Sequence, residues 1–398
     1  MSSESTVFAN VRPFGADPVD LVVAGGVVTG HSAAGQGTGT RIVEGGGRIA
    51  LPTMVDTHIH PDKTAWGQPW VSRRPAAGIA ELAQADAELF RTLPASVGER
   101  ARGLLAHAAA YGTRAVRAHA DVAPDFGLAG LAGIVEARDN LADVLDVRTV
   151  AFPQHGVRRA PGTAELLTEA AGSGLADFVG GIDPIGFDED PKGQLDLLFG
   201  LAERHGVGID LHLHDRERPG LDVIADMIDR TRALSLGGKV TISHAFALVD
   251  LTEGELDRLG ADLAAAGIGL TTVAPAGRTL PVKRLRELGV KVGLGSDGVR
   301  DSWSPFGNAD MLHRAHLMAS SLRARTDEEL ELGFVTAAEF GADLLGLSTI
   351  DLQPGSPADF FLVRGECLAQ IVVDVPARDL VVRAGKVIAR DGELGVSG

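Results

Sequence analysis

Histidine and aspartate side chains recur in this sequence in patterns that suit metal chemistry. The relevant residues are His58, His60, His212, His244 and Asp297. In a β-strand, side chains two residues apart face the same way, so His58 and His60 can converge on one cation. Several imidazoles with one carboxylate form a ligand set that suits Zn²⁺ or Fe²⁺.

The placement of these residues carries more weight than their number. With 12 histidines in 398 residues, roughly 0.4 His-x-His pairs are expected by chance, and the sequence has two. The five residues above all fall at the ends of predicted strands. Other histidines fall in predicted loops or helices, namely His31, His107, His205 and His313.

Eight short apolar runs alternate with helical patterns in the middle of the chain. They are Val55–His60, Arg114–His119, Val147–Phe152, Phe178–Ile182, Gly208–His212, Val240–His244, Ile268–Val273 and Lys291–Asp297. Eight strand-then-helix units without a solenoid repeat predict an α/β fold of the (β/α)8 TIM-barrel type, in which sites form at the carboxyl ends of the strands. A doubly wound open sheet is the alternative, but the first strand is not followed by Gly-x-Gly-x-x-Gly.

Helix signals lie between these runs. Leu195, Leu198 and Leu201 share one helical face ahead of Gly206, which predicts a helix end. Thr252 with Glu255 forms a capping-box pattern.

The two ends of the chain resemble each other more than they resemble the middle. Each contains two apolar runs around a glycine-containing turn, at 20–29 and 379–389. We therefore predict a small β-sandwich domain formed by residues 1–50 and 349–398, with the barrel spanning residues 51–348.

Composition narrows the function classes. The 37 Lys+Arg and 53 Asp+Glu residues give a net charge of −16, which argues against nucleic acid or an anionic membrane as a partner. The single cysteine, Cys367, excludes an intramolecular disulfide and any cysteine-rich metal site. With no secretory signal or membrane span recognised, we expect a soluble cytoplasmic protein, compatible with a homo-oligomer.

The set of strand-end histidines and the split β-domain resemble the amidohydrolase superfamily. Three local strings are similar to its cytosine deaminase branch: Arg117-x-His119-x-Asp121, Phe152-Pro-Gln154-x-Gly156, and Gly295-x-Asp297 followed by Asp301-x-Trp303-x-Pro305-x-Gly307-x-Ala309. The resemblance runs over nearly the whole chain. It implies a metal-dependent deaminase that releases ammonia from an amino-substituted heterocycle such as a pyrimidine, triazine or pterin.

The resemblance also implies roles for individual residues. One divalent metal ion, Zn or Fe, would be held by His58, His60, His212 and Asp297. Water bound to such an ion has its pKa lowered from about 15.7 to about 7. Asp297 would accept the proton of that water, Asp215 would pass protons to the substrate, and His244 would orient the water and stabilise developing charge.

Two departures from the cytosine deaminase pattern stand out. Asp215 is found where the family has a glutamate, and it could instead cap the following helix. Gly298 is found where cytosine deaminases have a second carboxylate. We therefore expect free space beside the metal, a preference for a larger or differently substituted ring, and poor turnover of cytosine.

Substrate contacts are predicted from side-chain chemistry. Gln154 can pair with an amide-like ring edge, and Trp303 offers a stacking face. Either residue could instead be structural. Further candidates are Lys63, Trp66 and Trp70 as a roof over the pocket, His119 and Asp121 as residues that orient a ligand, and His214 as a pocket residue or a support for Asp215.

Two other functions remain open. Cyclic-amide or N-substituted-amine hydrolysis is the first, but the relatives that cleave cyclic amides use two metals and a lysine at the end of strand four, where this chain has none. The second is a non-catalytic metal- or ligand-binding barrel. The presence of Asp215 and Asp297 favours an enzyme.

Overall fold

A computed structural model describes residues 5–73, 75 and 77–395 of the chain. Within these residues the strands are β1 (Ser5–Pro13), β2 (Val19–Ala24), β3 (Val27–Ala33), β4 (Arg41–Glu44), β5 (Ile49–Pro52), β6 (Met54–Ile59), β7 (Thr113–Asp121), β8 (Asp146–Phe152), β9 (Phe178–Ile182), β10 (Gly208–His212), β11 (Val240–Ser243), β12 (Gly269–Thr272), β13 (Val292–Leu294), β14 (Phe360–Val363), β15 (Arg378–Arg383), β16 (Lys386–Arg390) and β17 (Glu393–Leu394). The helices are α1 (Ile79–Thr92), α2 (Val97–Ala110), α3 (Ala129–Asn140), α4 (Thr163–Ser173), α5 (Pro191–His205), α6 (Glu217–Ala233), α7 (Glu253–Ala266), α8 (Val282–Glu287), α9 (Met311–Ser321), α10 (Asp327–Val335), α11 (Gly341–Leu344) and α12 (Leu368–Asp374).

The middle of the chain forms the predicted barrel. Strands β6 to β13 pair in parallel in sequence order. The ring closes where the chain after β13 meets β6, because the Asp297 amide donates to the His58 carbonyl at 2.8 Å. Each of the eight predicted runs overlaps one of these strands, so the predicted fold class is confirmed.

Helices cover the barrel where the sequence signals predicted them. Leu195, Leu198 and Leu201 are buried on one face of α5, and Gly206 ends that helix in the left-handed region at φ 75°. Thr252 and Glu255 form the predicted capping box at the start of α7. Among the described residues, no helix combines the length and the apolar character needed to cross a membrane.

The two termini build one nine-stranded sheet beside the barrel. Strands β1 to β5 come from the N-terminal part and β14 to β17 from the C-terminal part, and the two halves join where β5 pairs antiparallel with β14. Phe8 and Phe360 meet edge-on at 4.9 Å in their shared core. This sheet confirms a β-domain made from both ends of the chain, and it extends to Pro52.

Candidate metal centre and active site

A cluster of imidazoles lies at the carboxyl end of the barrel. The Nε2 atom of His60 lies 3.2 Å from that of His58 and 3.3 Å from that of His212. The Asp297 Oδ1 lies 3.7 Å from the His58 Nε2 and 3.5 Å from the His60 Nε2. We call these residues, together with His244, the histidine cluster.

The chemistry of these donors fits a divalent cation. Burial lowers the pKa values of His58, His60 and His212 well below the usual range, and repulsion from neighbouring histidines, with Lys63 in the case of His60, lowers them further. The rings are therefore neutral, as metal ligands must be. The short distances between these three neutral nitrogens, and from Asp297 to two of them, give a set that suits Zn²⁺ or Fe²⁺. His58 also lies within 4.8 Å of ligand atoms of His119 and His212, and of His244 and Asp297.

A buried hydrogen-bond relay sets the tautomer of His58. The Ser243 hydroxyl donates to Asp210 Oδ1 at 2.6 Å, so its oxygen can accept from the His58 Nδ1 at 3.0 Å. Arg117 donates to the other Asp210 oxygen at 2.8 Å. With the proton on Nδ1, the lone pair of His58 Nε2 points toward the cluster, as a ligand requires.

Two residues of the cluster adopt uncommon backbone conformations. His244 has φ 70° and Asp297 has φ 62°, in the left-handed region that non-glycine residues rarely adopt. Neighbouring strands hold both, since the His244 amide donates to the Thr271 carbonyl at 2.8 Å and the Asp297 amide is bonded to His58. Such conformations concentrate at functional sites, where they aim a side chain away from the strand direction.

His119 also reaches the histidine cluster. Its ring centroid lies 4.0 Å from that of His58, and it shares a possible metal-binding group with His58 and His212. Its Nε2 lies 3.5 Å from Asp210 Oδ1. These contacts suit the orienting role that the sequence suggested, and they also allow His119 to act as a ligand.

A cavity of about 320 Å³ opens above the cluster. His60, His212, His244 and Asp297 form part of its wall, and the Asp297 side chain is 40% exposed toward this space. Both ring nitrogens of His244 lack a hydrogen-bond partner among the described residues. A substrate in this cavity would therefore meet free polar atoms beside the proposed metal ligands.

A buried lysine and several carboxylates lie together at one side of the cavity, and Lys63 and Asp301 reach its wall. We call this group the acidic wall; it consists of Lys63, Asp62, Asp86, Asp121 and Asp301. The Lys63 Nζ donates to Asp121 at 2.9 Å and lies 3.6 Å from Asp86. Burial lowers the pKa of Lys63, but the surrounding carboxylates outweigh burial and raise it, so the lysine is a fixed cation.

Gln154 is held by the acidic wall. Its Oε1 accepts from Lys63, and its Nε2 donates to Asp86 at 2.9 Å. Trp303 differs, because its indole Nε1 has no partner among the described residues. Both residues line the cavity. The sequence predicted a stacking face for Trp303, and the structure adds a free N–H donor.

His214 lines the cavity, whereas Asp215 does not. The His214 Nδ1 lies 2.8 Å from Asp183 Oδ2, and its ring stacks on His244 with centroids 4.3 Å apart. Burial lowers the pKa of His214, but Asp183 outweighs it, so the pKa is raised. Asp215 instead accepts from the Gly186 amide at 2.8 Å. The structure therefore corrects the expectation that Asp215 lies beside the substrate.

The expectation of free space at Gly298 is also wrong. A Cβ atom at this position would lie 2.1 Å from Asp301 Oδ2, so the Asp301 carboxylate already fills the place. Asp301 is fully buried and lines the same cavity. The glycine makes room for a neighbouring side chain and leaves no extra room for substrate.

The remaining predicted residues differ in whether they line the cavity. Lys63 belongs to the cavity, but Trp66 packs on His107 with ring centroids 4.8 Å apart, and the Trp70 residue is 64% exposed. Neither tryptophan contributes to the wall of this cavity, so the predicted roof is reduced to Lys63. Asp121 pairs with Lys63, and one of its carboxylate oxygens lies within 4.8 Å of a ring nitrogen of His60, so its orienting role stays a prediction.

Sequence reasoning missed Asp183 and Asp301. Asp183 directly follows strand β9, so the strand-end argument applied to the other residues could have found it. Asp301 lies within a quoted family string, yet no sequence spacing shows that its carboxylate reaches the space beside Gly298. Finding it required the loop geometry.

Comparisons with known proteins agree with this architecture. Residues 41–389 match the model of a family described as the amidohydrolase family. A solved structure of N-isopropylammelide isopropylaminohydrolase from Burkholderia multivorans superimposes with a TM-score of 0.92 at 39% identity, over 98% of this chain and 100% of that one. The protein YahJ of Escherichia coli K12 is 33% identical over 87% of this chain and 76% of its own length. A pterin deaminase from Rhizobium rhizogenes is 28% identical over 93% of this chain and 88% of its own length.

Proposed function

This chain belongs to the amidohydrolase family, and from that premise we propose that it is a metal-dependent deaminase that hydrolyses an amino-substituted nitrogen heterocycle and releases ammonia. The observation that carries the proposal is the convergence of three neutral imidazoles and one carboxylate at a cavity with free polar atoms. The similar pterin deaminase acts on a substrate of this chemical class.

The proposed cation would be Zn²⁺ or Fe²⁺, held by His58, His60, His212 and Asp297. Bound there, it would lower the pKa of water from about 15.7 to about 7 and so supply a nucleophile at neutral pH. The protein keeps the ligand rings neutral through burial and fixes the His58 tautomer through Ser243. These features favour cation binding without any further side chain.

Protons would be handled by two residues on the cavity wall. The Asp297 carboxylate, exposed to the cavity, can accept a proton from the attacking water. His244 is neutral, since burial lowers its pKa to about 4, and can donate a hydrogen bond to the oxygen that adds to the ring carbon.

The departing amine needs a proton, and the geometry favours His214 over Asp215 for this role. His214 lies on the cavity wall, and its Nδ1 is hydrogen-bonded to Asp183. This bond holds a proton on Nδ1, so Nε2 is the nitrogen left for proton transfer. Asp215 is occupied by the Gly186 amide. We therefore propose that His214 delivers the proton to the leaving group and that Asp183 positions it.

Release of an alkylamine is a second candidate reaction. The solved structure with the 39% identical sequence is an isopropylaminohydrolase, and the cavity wall here includes the apolar side chains of Phe152, Ile182 and Val273. Phe152 stacks on His212 with centroids 3.8 Å apart, which places an apolar surface beside the proposed metal. A small alkyl group on the leaving nitrogen would find apolar contacts there.

An amine-release screen tests both reactions. Protein loaded with Zn²⁺ or Fe²⁺ is incubated with amino-substituted pyrimidines, triazines, pterins and purines, and with N-isopropyl triazines. Ammonia and isopropylamine are measured separately. We expect release from at least one ring, and His212→Ala should abolish it, whereas the exposed His205→Ala should not. No release from any of these rings by metal-loaded protein would contradict the proposal.

A further inference from the structure

The cavity contains a buried carboxylate oxygen that the proposed chemistry leaves unused. Asp301 Oδ1 accepts from the Trp303 amide at 2.9 Å and the Ser304 amide at 2.8 Å, which holds the loop after β13 in place. Asp301 Oδ2 has no partner among the described residues. Buried polar atoms in folded proteins nearly always have a hydrogen-bond partner, so this oxygen is a candidate for contact with a ligand.

Gly298 is what allows this oxygen to occupy its position. The Oδ2 atom lies 2.1 Å from the point that a Cβ at residue 298 would occupy, and Gly298 and Asp301 both line the cavity. Any side chain at 298 would displace the carboxylate. The absence of a side chain at Gly298 therefore leaves the space that the Asp301 carboxylate occupies.

Trp303 adds a free donor to the same loop. Its indole N–H lacks a partner, and its backbone is fixed to Asp301 by the hydrogen bond above. One loop that lines the cavity thus contains a buried acceptor and a buried donor without partners among the described residues. A ring lactam, with an N–H beside a carbonyl group, offers the complementary donor and acceptor.

We propose that Asp301 is a specificity-determining residue, whose Oδ2 accepts a hydrogen bond from the ring N–H of a lactam-containing heterocycle. The proposal rests on the proposed function, because it names the substrate class of the same site. Asp301 supplies from the loop the carboxylate that position 298 lacks. Burial raises the pKa of Asp301 to about 7, so the ionised form that accepts this bond dominates as the pH rises above neutrality.

Calorimetric binding tests the proposal independently of turnover. The probes are uracil, cyanuric acid and pterin, each with its N-methylated derivatives, and the protein is loaded with Zn²⁺ and held at pH 8. For at least one probe, wild-type protein should bind the unmethylated ring about 10–100-fold more tightly than the methylated one. Asp301→Asn preserves side-chain volume and Oδ1 but replaces the accepting Oδ2 by a donor, and should reduce this ratio to near one.

Two further variants separate recognition from loop structure. Gly298→Ala places a Cβ where Oδ2 lies, and should also abolish the ratio even if Asp301→Asn fails to fold. Ser302→Ala removes a loop contact to Asp86 without touching the cavity wall, and should leave the ratio unchanged.

The outcomes distinguish this inference from the proposed function. Retention of the wild-type ratio by folded Asp301→Asn, or absence of discrimination in the wild type, overturns the role of Asp301. If the amine-release screen fails while the discrimination is present and lost in both variants, the proposed function falls and the role of Asp301 stands.

Discussion

The histidine cluster and the acidic wall both contribute residues to the same cavity, yet their charges are balanced in opposite ways. The cluster consists largely of neutral rings whose nitrogens point at one another, and only a group from outside can satisfy them together. The acidic wall contains its own cation, Lys63, which binds Asp121 and Gln154 directly. The histidine cluster thus requires an added ion, whereas the neighbouring acidic wall already contains a counter-charge for its carboxylates.

This difference indicates which side chains are available for chemistry. In the acidic wall most polar atoms are engaged, and Asp301 Oδ2 is one of the few without a partner. In the histidine cluster the Nε2 atoms of His58, His60 and His212 converge on one another, and both ring nitrogens of His244 lack a partner among the described residues. Each of the following predictions tests this distinction.

Removal of a histidine-cluster ligand should have the largest effect. His58→Ala and Asp297→Ala should each lose both metal and amine release, because each removes one of the four proposed metal ligands. Metal analysis should find about one equivalent of Zn or Fe in the wild type and a strongly reduced amount in the variants. Full metal content in either variant, or two equivalents in the wild type, would contradict the proposed ligand set.

Removal of the acidic wall's cation should destabilise the fold. Lys63→Met leaves Asp86, Asp121 and Asp301 without their buried counter-charge, at a cost of about 3–5 kcal/mol. Urea unfolding measures this loss in the free energy of unfolding. Lys192→Met is the control, since Lys192 is exposed and its surface pair with Asp196 contributes little to stability. Equal stability of the two variants would show that the wall does not need its cation.

Loss of the carboxylate behind His214 should slow the reaction but leave the metal in place. Asp183→Asn weakens the bond that orients His214 and should lower kcat about 10²-fold. Metal content and kcat are measured on the same preparation. A variant with normal kcat would remove His214 and Asp183 from proton transfer.

Asp215→Asn should have the smallest effect. The side chain lies outside the cavity and accepts a backbone hydrogen bond that an amide oxygen can also accept, so kcat should change less than about threefold. Steady-state kinetics with intact metal provide the measurement. A 10²-fold loss would restore Asp215 to the role that the family resemblance implied.

The sequence was sufficient to predict much of the histidine cluster. Its members lie at strand ends, where the two-residue period decides which way His58 and His60 point and the barrel brings successive strands together. The acidic wall could not be predicted in this way. Asp62, Asp86 and Asp301 come from two loops and helix α1, and their meeting depends on loop paths that have no sequence period.

The same limit explains the two corrections at Asp215 and Gly298. A family pattern shows which residue occupies a given position. For a residue that follows the end of a strand, the pattern does not show where its side chain points. At Gly298 we predicted empty space because glycine has no side chain. In the structure the Asp301 carboxylate fills that space, as close packing requires.

The seam between the first and last barrel strands has a consequence for the order of folding. Asp56 accepts from the Ser296 amide, a contact between residues 240 positions apart in the chain, and His58 and Asp297 are bonded across the same seam. Contacts this remote carry a large loop-closure entropy and form slowly. The proposed ligands on either side of the seam come together only when the first and last strands have closed the barrel. A cation bound by both sides would therefore stabilise finished barrels over open intermediates.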